Sequence, residues 1–120
     1  MGNRAVIIPE SAVMNEETTV GIYVHWYDES DLMTALAEMQ ARGYRSIEDD
    51  DMYGMARLCQ VLCEQNQDGL NIGLTVVDPR EPDEWLDVGY IAVGGWTSIH
   101  RVAMCGGHPR LVEEEEEDEE

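Results

Sequence analysis

Lysine and phenylalanine are absent from this 120-residue chain, and bases of any kind are few. All seven cations are arginines: Arg4, Arg42, Arg45, Arg57, Arg80, Arg101 and Arg110. Against them stand 26 acids, for a formal charge of −19. A surface of that sign repels phosphates and anionic lipid, so neither direct nucleic-acid binding nor membrane binding is expected. Long apolar runs are also missing, and none approaches transmembrane length. The opening MGNRAVIIPES holds one short apolar patch and no stretch of signal-peptide length. Three cysteines, Cys59, Cys63 and Cys105, make an odd number, which points to reduced thiols in a cytoplasm rather than a disulfide frame. Motifs that carry catalysis are absent too: there is no G-x-S-x-G, H-E-x-x-H, Walker loop or G-x-G-x-x-G. No enzyme activity and no cofactor are therefore expected.

What is present is a patterned body and an acidic end. Residues 113–120 are all acidic; a block of like charges has nothing to bury and is expected to be a disordered tail. Without it, 18 acids still face seven arginines, so the acidity belongs to the body, residues 1–112, expected as one domain.

Residues 4–8 (RAVII) read as a first strand stopped by Pro9, placed at a sheet edge. Residues 10–17 read as polar connection. In residues 18–26, Val20, Ile22, Val24 and Trp26 alternate onto one face of a second strand. YDESDLMTALAEMQARG reads as a helix. Ser30 is its N-cap, Leu32, Leu36 and Met39 with Ala35 form its apolar stripe, and Gly43 takes the left-handed cap.

The stretch GYRSIEDDDMYGMARLCQVLCE then predicts a second helix. Ser46 and Asp49 form a capping-box-like pair, and Glu48, Asp49, Asp50 and Asp51 gather at the positive end of the dipole. Met55, Leu58 and Leu62 make one stripe and Met52, Ala56, Cys59 and Cys63 a neighbouring one, so a broad buried arc is expected. Gly54 inside this helix implies close approach of another element. NQDG at 66–69 is turn chemistry, and residues 70–77 alternate as a half-buried strand. Residues 88–93 and 96–104 read as two strands, with Gly94-Gly95 suited to a type I′ hairpin; CGGHPR reads as loop. The order β-β-α-α-β-β-β predicts an α+β fold: an antiparallel sheet of about five strands with two helices on one face.

Three constellations could carry chemistry. Cys59, Cys63, Cys105 and His108 together make three thiols and an imidazole, a structural zinc set, although C-x3-C on an apolar helix stripe equally suits packing cysteines; no metal site is assigned. Arg42, Arg45 and Arg57 lie close in sequence to Tyr44 and Tyr53, with Tyr53 and Arg57 one helical turn apart; Arg45, Tyr53 and Arg57 with His25 and Trp26 could hold an anionic ligand such as a nucleotide by fork and stack. Asp28, Glu29, Asp31, Glu48, Asp49, Asp50 and Asp51 are candidate contacts for a basic partner surface, including a groove that normally holds nucleic acid.

The strings GIYVHW (21–26), RGYRS (42–46), YGMARLCQV (53–61), LNIGL (70–74) and GYI (89–91) with the following tryptophan resemble a family of small uncharacterised proteins. These are carried by phages, prophages and mobile elements of gut bacteria. The resemblance runs from about Arg4 to Arg101. Tyr27, Asp28 and Glu29 stand where the pattern has N-G-G, and Met55 where it has an aromatic. The resemblance implies an accessory protein in the cytoplasm of a bacterial host cell, binding and inhibiting a host protein, with an anti-defence inhibitor using acidic surface as the leading reading. The alternatives are an oligomeric sponge for an immune signalling nucleotide and a small zinc-binding structural protein.

Overall fold

The computed structural model describes residues 3–66, 71–81 and 86–112. The acidic tail at 113–120 and most of the 66–69 turn lie outside the described residues. Nine elements follow in order: β1 (Ala5–Pro9), α1 (Glu10–Asn15), β2 (Thr19–Val24), α2 (Glu29–Ala41), α3 (Asp51–Gln65), β3 (Ile72–Val77), β4 (Gly89–Val93), β5 (Ile99–Cys105) and β6 (His108–Val112). The fold is α+β. Its six described strands form one mixed sheet in the order β3-β2-β1-β4-β5-β6.

The strand expected at an edge is at the centre. β1 pairs antiparallel with β2 and parallel with β4, and every residue of AVIIP is buried. The composition explains this: a strand that is apolar at every position has no side to offer water and needs cover on both faces. The parallel β1–β4 pair makes the sheet mixed rather than antiparallel, and β6 makes it six strands rather than five.

Each face of the sheet carries a core. On one, Ala5, Ile7, Ile22, Val24, Ile91 and Val93 lie under Leu32, Leu36 and Met39 of α2 and Met55, Leu58 and Leu62 of α3. Burying each such Leu or Ile contributes about 1.5–3 kcal/mol. On the other, Val6, Ile8, Tyr90 and Ala92 pack with Val13 of α1 and with Leu86. The expectation of helices on a single face therefore needs a third, α1. Its six residues follow Pro9 directly, bury Ala12 and Val13, and close at Glu16 in the left-handed region (φ 52°). A half-polar hexapeptide gives little helical signal, since tertiary packing and not propensity holds so short a helix.

The type I′ turn falls at a different glycine pair. Gly106 and Gly107 have φ of 62° and 85° and join β5 to β6, as a two-residue primed turn requires. Gly94 and Gly95 do not take positive φ. Their role is space: a Cβ on Gly94 would stand 2.5 Å from Glu10 Oε1, and one on Gly95 3.1 Å from Glu48 Oε1.

Both central helices follow the expected grammar with shifted starts. α2 is capped by Asp28, whose carboxylate accepts the Ser30 N–H at 2.9 Å, and not by Ser30 itself. Gly43 has φ of 80°, and the Tyr44 N–H reaches the Met39 carbonyl at 3.1 Å, closing the C-terminus. α3 begins at Asp51, so Glu48, Asp49 and Asp50 precede it. Its buried arc is Gly54, Met55, Leu58, Val61 and Leu62, while Met52, Ala56 and Cys63 are exposed. The second stripe thus flanks the core and does not enter it.

Candidate functional site

The α2–α3 connection, residues 42–50, carries four of the expected site residues, Arg45, Glu48, Asp49 and Asp50, and leads into α3, which carries Asp51, Tyr53 and Arg57; local bonds fix it. Ser46 is buried; its Oγ accepts the Asp49 N–H at 3.2 Å, and its carbonyl accepts the Asp49 and Asp50 N–H groups, both at 3.1 Å. Ile47 is buried below α3. A Cβ on Gly54 would lie 2.7 Å from Ile47 Cα, so the close neighbour implied by Gly54 is the turn leading into its own helix. The Glu48 N–H donates to the Gly94 carbonyl at 3.1 Å, tying the connection to the end of β4.

One side of this connection is acidic. Glu48, Asp49, Asp50 and Asp51 face Glu10, Ser11 and Met14 of α1 across a cleft of about 460 Å³ floored by Val93 and Gly94. The cleft lies at the carboxyl ends of the parallel strands β1 and β4, where open sheets that contain parallel strands commonly bind ligands. Asp51 accepts the Ser11 hydroxyl at 2.9 Å. Glu10 accepts the Ser98 hydroxyl in a short bond and has His100 Nε2 3.6 Å away. Ser98 and His100 therefore meet a shared carboxylate.

The other side is a ladder of alternating arginines and tyrosines. The Arg42 guanidinium lies 5.9 Å from the Tyr44 ring centre, Arg57 lies 5.8 Å from Tyr44 and 5.7 Å from Tyr53, and Arg45 lies 4.3 Å over Tyr53. The two rings meet edge to face at 6.5 Å. At one end Arg42 is saturated: it bonds Glu38 at 2.8 Å and Glu64 at 2.7 Å. The hydrogen bond from Arg42 holds the Glu64 carboxyl below the usual range and lowers the Tyr44 hydroxyl, while Glu64 raises Arg42. At the other end Arg45 has a long pair to Asp50 at 3.8 Å. In the middle, Arg57 Nε is buried without a hydrogen-bond partner among the described residues.

The structure thus brings Arg45, Tyr53 and Arg57 together with Arg42 and Tyr44. His25 and Trp26 are not part of this group. They sit where Asn3 precedes β1, at the opposite end of that strand from Glu10 and the connection. There the His25 and Trp26 rings stand edge to face at 4.8 Å, and His25 Nδ1 meets the Tyr23 hydroxyl at 3.1 Å. The seven candidate acids also divide. Glu48 to Asp51 line the cleft, whereas Asp28, Glu29 and Asp31 form the start of α2, with Glu29 beside Asn3, Tyr27 and Arg101.

Cys59 and Cys63 lie on α3, and Cys105 and His108 at the β5–β6 turn, where Cys105 receives Arg110 at 3.4 Å and His108 meets Glu16 at 3.0 Å. Among the described residues no three His, Cys, Asp or Glu side chains gather as a metal site. Burial, and then the neighbouring Cys63, raise the Cys59 thiol above its usual range. Among the described residues no helix is long and apolar enough to cross a membrane.

Glu10 is the principal site residue that sequence reading missed. Its one signal was position: the residue after a wholly apolar strand lies at that strand's carboxyl end. Its partners Ser98 and His100 are some 90 residues away, beyond any local pattern. No family model, no curated protein and no solved structure matches this chain.

Proposed function

We propose that this chain is a non-enzymatic accessory protein of a phage or mobile element that binds a host protein through acidic surface and inhibits it. One observation carries the reading: Glu10, Glu48, Asp49, Asp50 and Asp51 line one cleft, and Arg45 is the one arginine among the described residues that pairs with any of them, at 3.8 Å from Asp50. A basic groove that normally takes phosphates finds there a fixed row of negative groups, a mimic rather than a ligand. The resemblance to phage and prophage proteins supplies the host context by analogy alone. The test is capture of a nucleic-acid-binding host effector by the wild-type chain and by E48Q/D49N/D50N/D51N. Binding that competes with duplex DNA, weakens as the Debye length falls below about 10 Å, and disappears in the variant supports the reading. Binding that survives neutralisation, or ignores salt, overturns it.

A second reading has its own observation. The unpartnered Arg57 Nε, stacked between Tyr44 and Tyr53, favours capture of an anionic ring compound such as a signalling nucleotide. Calorimetry against cyclic nucleotides and cyclic ADP-ribose isomers tests it: heat lost in Arg57→Met supports a sponge, and no heat from any of them removes it.

A further inference from the structure

The two edges of the sheet are built differently. β6, one edge, is HPRLV: five residues with a proline and an arginine in the middle, both of which oppose strand addition. β3, the other edge, is IGLTVV: six residues with no charge and no proline. Among the described residues nothing pairs with its outer side. Of its helix-side residues Ile72 packs on the core, but Leu74 is 66% exposed and Val76 68%, with Val20, the register partner of Val76, at 39%. An alternation that normally marks a half-buried strand here turns its apolar side to water.

The helix above this edge matches it. α3 packs on β1, β2 and β3 and so is centred over β2. Glu64 and Gln65 reach Arg42 and Asp31 of α2, which fixes the flank of α3 that faces its neighbour helix. The opposite flank, at the spacing 52, 56, 59, 63, looks over β3 and holds Met52, 45% exposed, with Ala56, Cys59 and Cys63. Sheet edge and helix flank together form an open apolar trough.

We infer that β3 is a self-association edge, pairing antiparallel with β3 of a second copy of this chain to make one continuous twelve-stranded sheet. Two features favour a second copy over another occupant. The first is charge: at −19, two chains repel wherever carboxylates meet, and residues 71–77 present none. A basic partner would gain nothing from this uncharged strand. The second is geometry. With β3 against β3, the two α3 helices stand three strand spacings apart, about 14 Å. Helices in contact lie about 8–10 Å apart, so the space left is about one layer of side chains. Leu74, Val76 and Met52 of both copies, all on the same side, fill it. The two-fold relation keeps each apolar side on the helix face, so the exposed rows become cross-strand neighbours.

Sedimentation velocity and light scattering read this directly. The chain is expected to show a mass near twice 13.5 kDa, with association strengthened by salt because screening removes the repulsion between like-charged copies. Leu74→Lys and Val76→Lys change exposed positions; each is expected to shift the chain to monomer with its circular dichroism unchanged, whereas Met14→Lys, exposed on α1, leaves the dimer intact. If a lysine variant does not fold, hydrogen exchange on the wild type replaces it: β3 amides gain protection as concentration rises. A monomer at every concentration up to about 1 mM, a span in which even weak pairing registers, overturns the inference. So does a dimer that persists in both lysine variants, or β3 exchange indifferent to concentration.

Discussion

The two sides of the α2–α3 connection share a backbone and treat charge in opposite ways. Toward Glu10 and Gly94 stand carboxylates held by short polar contacts, Ser11 on Asp51 and Ser98 on Glu10, with no stacked ring among them. Toward α2 stand three of the seven arginines, held by the faces of Tyr44 and Tyr53. Arg45 and Asp50 join the sides through one long pair. The contrast separates two ways to keep like charges in one place. Carboxylates at a cleft are spread into water, where repulsion is weak. Guanidinium groups lie over aromatic rings, which lets them gather, and among the described residues one, Arg57, keeps an unused donor.

Gly54 supports both sides and Gly94 only the Glu10 side, so the two should respond unequally. Gly54→Ala drives a Cβ to within 2.7–2.8 Å of Ile47 main-chain atoms, which cannot swing aside. It is expected to cost about 3 kcal/mol in urea denaturation, the upper part of the overpacking range. Both sides of the connection should loosen together. Gly94→Ala meets only the end of the Glu10 side chain. Glu10 can turn away and give up Ser98, a loss of about 1 kcal/mol. Equal costs would mean that the connection is not anchored through Ile47.

The ladder gives the next effect in size. Arg57→Ala removes contact with two rings and the packing of the stem, for about 1–2 kcal/mol. Arg57→Met keeps the stem and removes the unsatisfied Nε, so its stability should stay within about 1 kcal/mol of wild type. A methionine variant as unstable as the alanine one would show that the cation itself holds the ladder, making Arg57 a structural residue and leaving the anion reading without its donor.

These contrasts follow closely from which interactions were local. Gly43, Gly54, the α2 stripe and the meeting of Tyr53 with Arg57 all depend on neighbours within one or two turns, and their spacing carries them. Arg42 and Tyr44 joined the ladder because Gly43 turns the chain back across the start of α3, again a local event. The cleft was only half legible. Glu48 to Asp51 stood together in the chain, but Glu10 arrives through the parallel β1–β4 pairing, which no local pattern reports. The same pairing moved β1 from the expected edge to the centre. The β6 strand was obscured by Pro109, which breaks a strand pattern anywhere but an edge, and β6 is an edge. The Gly-Gly turn was assigned to the wrong pair because sequence shows that glycine is required without showing whether positive φ or space is the reason.

The smallest effect concerns the saturated end of the ladder, and its sign is set by linkage. Arg42 lowers the Glu64 carboxyl in the folded chain. A depressed carboxyl contributes stability that is fully present above its unfolded pKa, about 4.3, and that is lost as pH falls through the lower folded value. Glu64 is well exposed, so solvent screens the pair and the contribution is modest. Glu64→Gln keeps the shape and removes the titration. Wild type and variant should therefore differ by a constant urea midpoint above about pH 5, with wild type the more stable, and should converge on further acidification. Arg42→Met should remove the same acid-limb difference when combined with Glu64→Gln, since the carboxylate acts through that guanidinium. A gap between wild type and Glu64→Gln that held constant to pH values well below the ordinary carboxylate range would mean that the Arg42 pair is not its source, and the ladder would then end at Tyr44.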